Sequence, residues 1–229
     1  MSSIPPPADD RSRIDDRTTK ARIRDAAIAC FADNGLAATT VRKVAETADV
    51  SAGSVIHHFG SMEGLRAACD EHVAATIRGY KHKAMASGPT IDVLAALGDT
   101  SMGPLLGYLA AVLADDTPAV AKLVDDLVDD AEGYLQEGVA AGMLRPSIDP
   151  RGRAVVLTMW GLGALVLHQH LERLLGVDLT DPELGTSANL ANYALPVYEI
   201  YGEGVTTEAF GANLQEVFSQ PTDTRKGTP

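Results

Sequence analysis

Residues 39–65 constrain this chain more than any other stretch. Thr39-Thr40 opens a short run with Val41, Val44, Ala45 and Ala48 on one side. Asp49-Val50 then interrupts it, and Ser51 opens a second run, Ala52 to His58, with Val55 on its inner side. Thr40 and Ser51 are good N-caps, because a side-chain oxygen there accepts a hydrogen bond from a backbone N–H two or three residues on. Phe59-Gly60-Ser61 breaks the chain again, and Ser61 can cap a further helix. Two short helices joined by a tight polar turn have the shape of a helix-turn-helix, in which the second helix enters the major groove of DNA.

The segments around this stretch read as helices too. From Thr18 to Asn34, Ile23, Ala26, Ala27, Cys30 and Phe31 follow the spacing of an amphipathic helix, which Asn34-Gly35 ends as a left-handed cap would. A fourth helix carries Leu65, Ala68, Cys69, His72, Val73 and Ile77 as far as about Met85. Later segments predict helices over about Ile91–Leu97, Pro104–Ala114, Pro118–Ala141, Pro150–Leu175 and Ser187–Tyr201. Prolines 104, 118 and 150 lie where a first helical turn tolerates them. No convincing alternating strand occurs, so the fold expected is all-α: a three-helix reader in front and a larger helical domain behind. The expected divisions are an arm over 1–15, the reader over 16–62, the rear domain over 63–218 and a loose tail over 219–229.

Charge supports two functional parts. Residues 1–83 carry 12 Lys and Arg against 11 Asp and Glu, a balance of +1; residues 84–229 carry 7 against 20, a balance of −13. A region that approaches phosphate and one that does not are expected from such asymmetry. The longest charge-free apolar run, Ala154 to Leu167, is 14 residues, short of the roughly 20 that a bilayer needs. The first residues hold neither a basic start nor an apolar signal core, so no membrane role and a cytoplasmic location are expected. Cys30 and Cys69 sit at positions suited to small apolar side chains and read as buried thiols.

Small residues at the start of a recognition helix let its backbone come close to DNA. Ser51, Ala52, Gly53 and Ser54 supply that closeness, and the two serines add hydroxyls. Arg42 is the candidate for a bidentate guanine contact. Lys43, Thr40, Lys20, Arg17 and Arg22 are candidates for phosphate. His57 is placed for DNA and His58 for packing and the backbone; adjacent histidines point about 100° apart and do not readily close a metal site.

Residues 18–65 resemble the DNA-binding domain of the TetR/AcrR family of bacterial transcriptional regulators. The matching residues are Cys30-Phe31-Ala32-Asp33-Asn34-Gly35, Thr39-Thr40-Val41-Arg42-Lys43-Val44-Ala45, Val50-Ser51-Ala52-Gly53-Ser54 and His57-His58-Phe59-Gly60-Ser61. The resemblance implies an all-helical homodimer that binds a double-stranded DNA operator, with repression released by a small, largely apolar effector. Two positions depart from the family pattern. Ile56 stands where an aromatic, most often tyrosine, is usual in the recognition helix, and Met62 where a lysine usually opens the fourth helix. Both departures remove expected phosphate contacts and shift the burden to Arg17, Lys20, Arg22 and Lys43.

In the rear domain, Met102, Leu106, Tyr108, Leu109, Tyr134, Met159, Trp160 and His168 are the expected pocket residues, Met143 being a further candidate. Each taken singly reads first as core, and it is as a group that the resemblance favours a pocket. Val155, Leu162, Val166, Tyr193, Leu195 and Val197 are expected at a dimer interface, with Gly161, Gly163 and Ala164 allowing close approach; Pro196 should kink its helix. His168 and Glu172 share a helix face, but two ligands fall short of a metal site, and no metal or cofactor is expected. The pairs Asp115-Asp116, Asp125-Asp126 and Asp129-Asp130 read as a solvated face, with a cation-binding surface as the alternative. Two other functional readings stay open: a helical small-molecule-binding protein whose DNA binding is weakened or lost, and an enzyme using the rear cavity.

Overall fold

The computed structural model describes residues 8–88 and 102–212, with side chains from residue 16 onward. The expected helix over Ile91–Leu97 and the tail over 219–229 lie outside the described residues. Helix α1 spans Ala8–Ala38, so the backbone is already helical where an arm was expected. Ile23, Ala27, Ile28, Cys30 and Phe31 form its buried stripe. Gly35, at φ 73° and ψ 172°, breaks the helix where sequence placed its end, because a left-handed φ is open to glycine at little cost. Beyond the kink, the buried Thr39 hydroxyl lies 3.0 Å from the Cys30 carbonyl and 2.8 Å from that of Gly35, so its one proton serves either.

Three hydroxyl caps then organise 22 residues. Thr40 Oγ1 accepts the Lys43 N–H at 3.2 Å and starts α2, Val41–Thr47. Asp49 turns the chain at φ 51°, a region Asp enters more readily than most residues. Ser51 Oγ accepts the Ser54 N–H at 3.0 Å and starts α3, Ala52–Phe59. Ser61 Oγ accepts the Gly64 N–H at 3.1 Å and starts α4, Met62–Ala86. Val44, Ala45, Ala48, Val55 and Leu65 close the small core against α1.

Helix α5 spans Gly103–Val112, α6 Pro118–Ala140 and α7 Pro150–Val166. Helix α5 packs on α1 and on α7, and α6 packs on both α4 and α7. Gly103 is required by close approach, since a Cβ there would stand 2.6 Å from Pro182 Cα. The single helix expected over Pro150–Leu175 is two: it bends by 72° and resumes as α8, His168–Leu175. Neither glycine nor proline marks that bend. Its cause is tertiary: Val177 and Leu179, just beyond α8, are buried, and His168 faces Asp178. Among the described residues no single helix is long and apolar enough to cross a membrane.

Met1–Ser187 forms one compact unit and Ala188–Pro229 a second. The first unit runs across the division expected at residue 62, because α1 packs on α5 and α4 is shared between the front and rear packing. The second contains α9, Leu190–Tyr198, which includes Pro196. A wider π turn over Glu199–Glu203 comes next, where an α-helix to Tyr201 was expected. Proline removes a ladder donor from its own helix.

Candidate nucleic-acid interface and rear cavity

The first turn of α3 presents a bare surface. Ser51, Ala52 and Gly53 are exposed and Ser54 is half-buried behind them. Ser51 Oγ spends an acceptor lone pair on its own helix, which leaves its O–H free to donate to a phosphate. Ile56 and His57 are exposed beside this turn, Ile56 with 43% of its surface open. Exposed isoleucine offers DNA no hydrogen bond, but an apolar side chain in the major groove can pack on a thymine methyl. From sequence, this position reads only as the loss of an aromatic contact.

Arg42 stands out from α2 with 87% of its side chain exposed, its Nε donating to Glu46 Oε1 at 3.0 Å. An exposed i,i+4 pair contributes about 0.3–0.5 kcal/mol, so exchanging Glu46 for a guanine edge costs little. Lys43 Nζ donates to Asn34 Oδ1. Thr40, Arg17, Lys20 and Arg22 are exposed, with Lys20 Nζ 5.6 Å from the Phe59 ring centroid. His58 differs from its neighbour: only 8% of its side chain is open, its Nδ1 is 3.6 Å from Asp16, and its ring packs edge-on to His57 and Phe59. At the start of α4, beside Met62, Glu63 holds a carboxyl below its usual pKa through hydrogen bonds with its own N–H and the Ser61 hydroxyl. That helix start therefore carries a carboxylate next to Met62, the position where the resemblance places a lysine.

Behind the reader, α4 to α7 line a half-open cavity of about 240 Å³. Ile77, Arg78 and Lys81 come from α4; Leu106 and Leu109 from α5; Leu127, Asp130 and Tyr134 from α6; Leu157, Thr158, Gly161, Leu162 and Leu165 from α7. Three residues expected here, Leu106, Leu109 and Tyr134, line it. Met102, Tyr108, Met159, Trp160 and His168 are not among its walls. Met159 and Trp160 lie on the outer face of α7, 40% and 55% exposed, and Met102 is the half-buried residue before α5. His168 pairs through Nδ1 with Asp178 Oδ1 at 3.1 Å, rather than with Glu172 along its own helix.

Polar wall residues were missed by sequence. Arg78 Nε meets Asp130 Oδ1 at 2.7 Å, while Asp130 Oδ2 and Thr158 Oγ1 are buried with no hydrogen-bond partner. Lys81 lines the cavity but is an exposed residue, and the desolvation it does meet pulls its ammonium below the usual lysine pKa. Spacing gave one clue: Arg78 and Lys81 are i,i+3 and so fall on one face of α4.

Tyr108 occupies a junction instead of a pocket. It is fully buried, its hydroxyl donates to Asp70 Oδ1 at 2.6 Å, and its ring meets Phe31 of α1 edge-on at 5.8 Å. Burial, then the bond to Asp70, pushes the phenol well above its ordinary pKa; burial also raises Asp70, against the pull of Tyr108 and Arg66. Leu106 and Leu109 are cavity walls and Tyr108 touches the reader. One turn of α5 thus joins two sites.

Of the residues expected at a dimer interface, Val155 and Val166 are exposed on α7 at 38% and 44%, beside Val156 and Trp160, whereas Leu162 faces the cavity. Helical spacing accounts for most of this: Leu157, Thr158, Gly161 and Leu165 share the inner face and leave Val155, Val156, Met159 and Val166 outside, while Leu162 lies at the border next to Val155 and still reaches the cavity. In the second unit Leu195 is 65% exposed, and Tyr193 and Val197 are half-buried.

Comparison with known proteins agrees with both parts of the chain. Residues 23–69 match the family described as bacterial regulatory proteins, tetR family, and residues 100–207 match the tetracyclin repressor-like C-terminal domain. The HTH-type transcriptional regulatory protein RaaS of Mycobacterium tuberculosis is 39% identical over 210 residues, covering 89% of this chain and 97% of that protein. The HTH-type transcriptional repressor KstR2 of Rhodococcus jostii is 48% identical over 61 residues, 27% of this chain and 29% of that one. Among solved structures, SmeT, the repressor of the Stenotrophomonas maltophilia multidrug efflux pump SmeDEF, aligns with a TM-score of 0.52 at 26% identity, covering 77% of this chain and 91% of that one.

Proposed function

The chain belongs to the TetR family of bacterial transcriptional regulators, and from that premise we propose that it works in the cytoplasm as a homodimeric repressor that a small molecule releases from its operator. DNA binding by a helix-turn-helix is what the family does; the assignment of residues is ours. Arg42 reads a guanine edge, Ile56 packs on a thymine methyl, Ser51, Ser54 and His57 contact base edges or phosphate, and Lys20, Thr40 and Lys43 hold the backbone. Apolar side chains exposed on the outer face of α7 support a twofold dimer, in which the same face of a second copy covers Val155, Val156, Met159 and Val166. Two copies also suit DNA, since paired recognition helices reach half-sites one helical turn apart, or a multiple of that.

The observation that carries the regulatory reading is the junction at Tyr108. A molecule in the cavity presses on Leu106 and Leu109, and α5 passes that displacement through Tyr108 to Phe31 of α1 and Asp70 of α4. An effector that binds better when these helices are displaced draws the population away from the DNA-fitting arrangement by its difference in affinity for the two states. Selection of a random duplex pool by the full-length protein tests the reader. The expected result is enrichment of one palindromic site bound by two protomers; no enrichment over the starting pool would overturn the reading and leave the alternative of a small-molecule-binding protein without DNA function.

A further inference from the structure

We propose that the effector accepted by the α4–α7 cavity is a small amphipathic anion: an apolar body against the leucines of α5, α6 and α7, and a negatively charged head group held by Lys81. This rests on the reading of that cavity as the effector site.

The first support is charge accounting at the wall. The chain carries a net charge of −12, so carboxylates are plentiful, and several long cations near the cavity have found them. Arg78 pairs with Asp130, Lys122 with Asp126, and Arg151 with Asp129 and Glu132. Lys81, an exposed residue that also lines the cavity, has no such partner among the described residues. A cation that faces largely aliphatic walls with no counter-charge attracts an anionic group sharing that low-dielectric space. Arg78 and Asp130 neutralise each other, so Lys81 leaves the cavity one positive charge in excess.

The second support is independent of that charge. Asp130 Oδ2 and Thr158 Oγ1 line the same space, buried and without partners. Native proteins satisfy most such atoms, and two of them in one cavity point to polar atoms supplied from outside. Thr158 can donate its hydroxyl proton to an anionic oxygen, and Asp130 Oδ2 can accept from a hydroxyl or N–H on the head group or from water. The remaining walls are mostly aliphatic. At about 240 Å³ the cavity falls at or below the small end of ligand pockets, which run from about 300 Å³, and favours a compact molecule.

Decanoate, decanol and decylamine share a chain and differ in head charge, and calorimetric titration of each into the full-length protein without DNA tests the inference. Decanoate is expected to bind once per chain, at least ten-fold more tightly than decanol, with decylamine weakest. Lys81→Met should bring decanoate and decanol within two-fold of each other, and Lys81→Arg should keep the preference. The melting temperature of ligand-free Lys81→Met should equal or exceed that of the wild type; a clear fall would show that Lys81 has a structural partner and would overturn the premise. Gly161, where an added Cβ meets nothing within 4 Å, gives the control for location. Gly161→Leu should weaken decanoate at least ten-fold, and unchanged binding would place the ligand elsewhere. Absent decanoate binding, equal affinity for decanol, or a preference that survives Lys81→Met would each overturn the proposal. Failure of the regulatory reading looks different: decanoate would bind through Lys81 while operator affinity stayed constant.

Discussion

The reader and the cavity solve opposite problems with the same element, the α-helix. In the reader, helices of seven and eight residues are too short to persist alone, and capping hydroxyls at Thr40, Ser51 and Ser61 fix where each begins. Function then sits on the outer surface within a few residues of a cap. Around the cavity, α4, α6 and α7 are long and stabilised by packing, and the site is an interior assembled from four helices between Ile77 and Leu165. Residues far apart in sequence meet there. One region exposes its chemistry on a locally determined scaffold; the other assembles it by tertiary contact. Tyr108 is where the two meet.

If that contrast holds, surface and junction substitutions should fail in different ways. The largest effect is expected at Arg42. Replacing it with alanine removes an exposed side chain whose role among the described residues is a weak pair with Glu46, so thermal stability should hardly change. Affinity for the selected operator should fall by about 10- to 100-fold, the worth of a bidentate base contact of roughly 1–3 kcal/mol. Fluorescence anisotropy measures the loss, and an unaltered affinity would remove Arg42 from the interface.

Tyr108→Phe should do the reverse. It leaves the half-buried Asp70 carboxylate without that donor and is expected to cost about 1 kcal/mol of stability, seen as a fall in melting temperature of roughly 2–4 °C for a chain of this size. DNA contacts are untouched, so residual operator affinity should stay within a few-fold while the response to any effector weakens. A variant as stable as the wild type would show that the bond to Asp70 contributes little.

Ser51→Ala joins both properties in one residue. Loss of the cap should cost about 1 kcal/mol in chemical denaturation, accompanied by a several-fold drop in operator affinity from the lost hydroxyl donor. A loss of stability without any change in DNA affinity would confine Ser51 to capping.

The smallest expected effect lies at Asp178. Burial raises its pKa, but the Thr180 N–H, the Thr180 hydroxyl and His168 outweigh burial and hold it below the ordinary carboxylate value. A depressed folded pKa contributes stability above the unfolded value near 4, which is lost as pH falls through the folded one. Asp178→Asn should therefore melt below the wild type at pH 7, with the gap closing toward pH 3. A gap independent of pH would show that shape, and not charge, is what Asp178 contributes.

How legible each region is in the sequence depends on the same contrast. Thr40, Ser51, Ser61 and Gly35 act within three or four residues of themselves, so the starts of α2, α3 and α4 and the break in α1 are readable from spacing. Pro104, Pro118 and Pro150 mark the starts of α5, α6 and α7 for the same reason. The bend at Leu167 carries no local signal, because what draws the chain aside is Asp178 and the buried Val177 and Leu179. Tyr108 looks like a pocket aromatic since helical spacing alone does not say which neighbour a face will meet. Met159 and Trp160 read as inward and Leu162 as outward, although the inner stripe of α7 runs through Thr158, Gly161 and Leu165. A polar residue and a glycine in that stripe disguise it, and those are the features that leave space and unmet hydrogen bonds in the cavity.

Coupling between the two regions is the central claim, and hydrogen exchange with and without the selected operator tests it most directly. Thermodynamic linkage is reciprocal: if cavity occupancy alters DNA affinity through α5, then DNA bound at α3 must alter the stability of the cavity walls. The expected result is slowed exchange in α2 and α3 together with a clear change in amides of α5, over residues 103–112, and in the inner half of α7. Protection confined to residues 16–62, with α5 and α7 exchanging as in the free protein, would contradict the account.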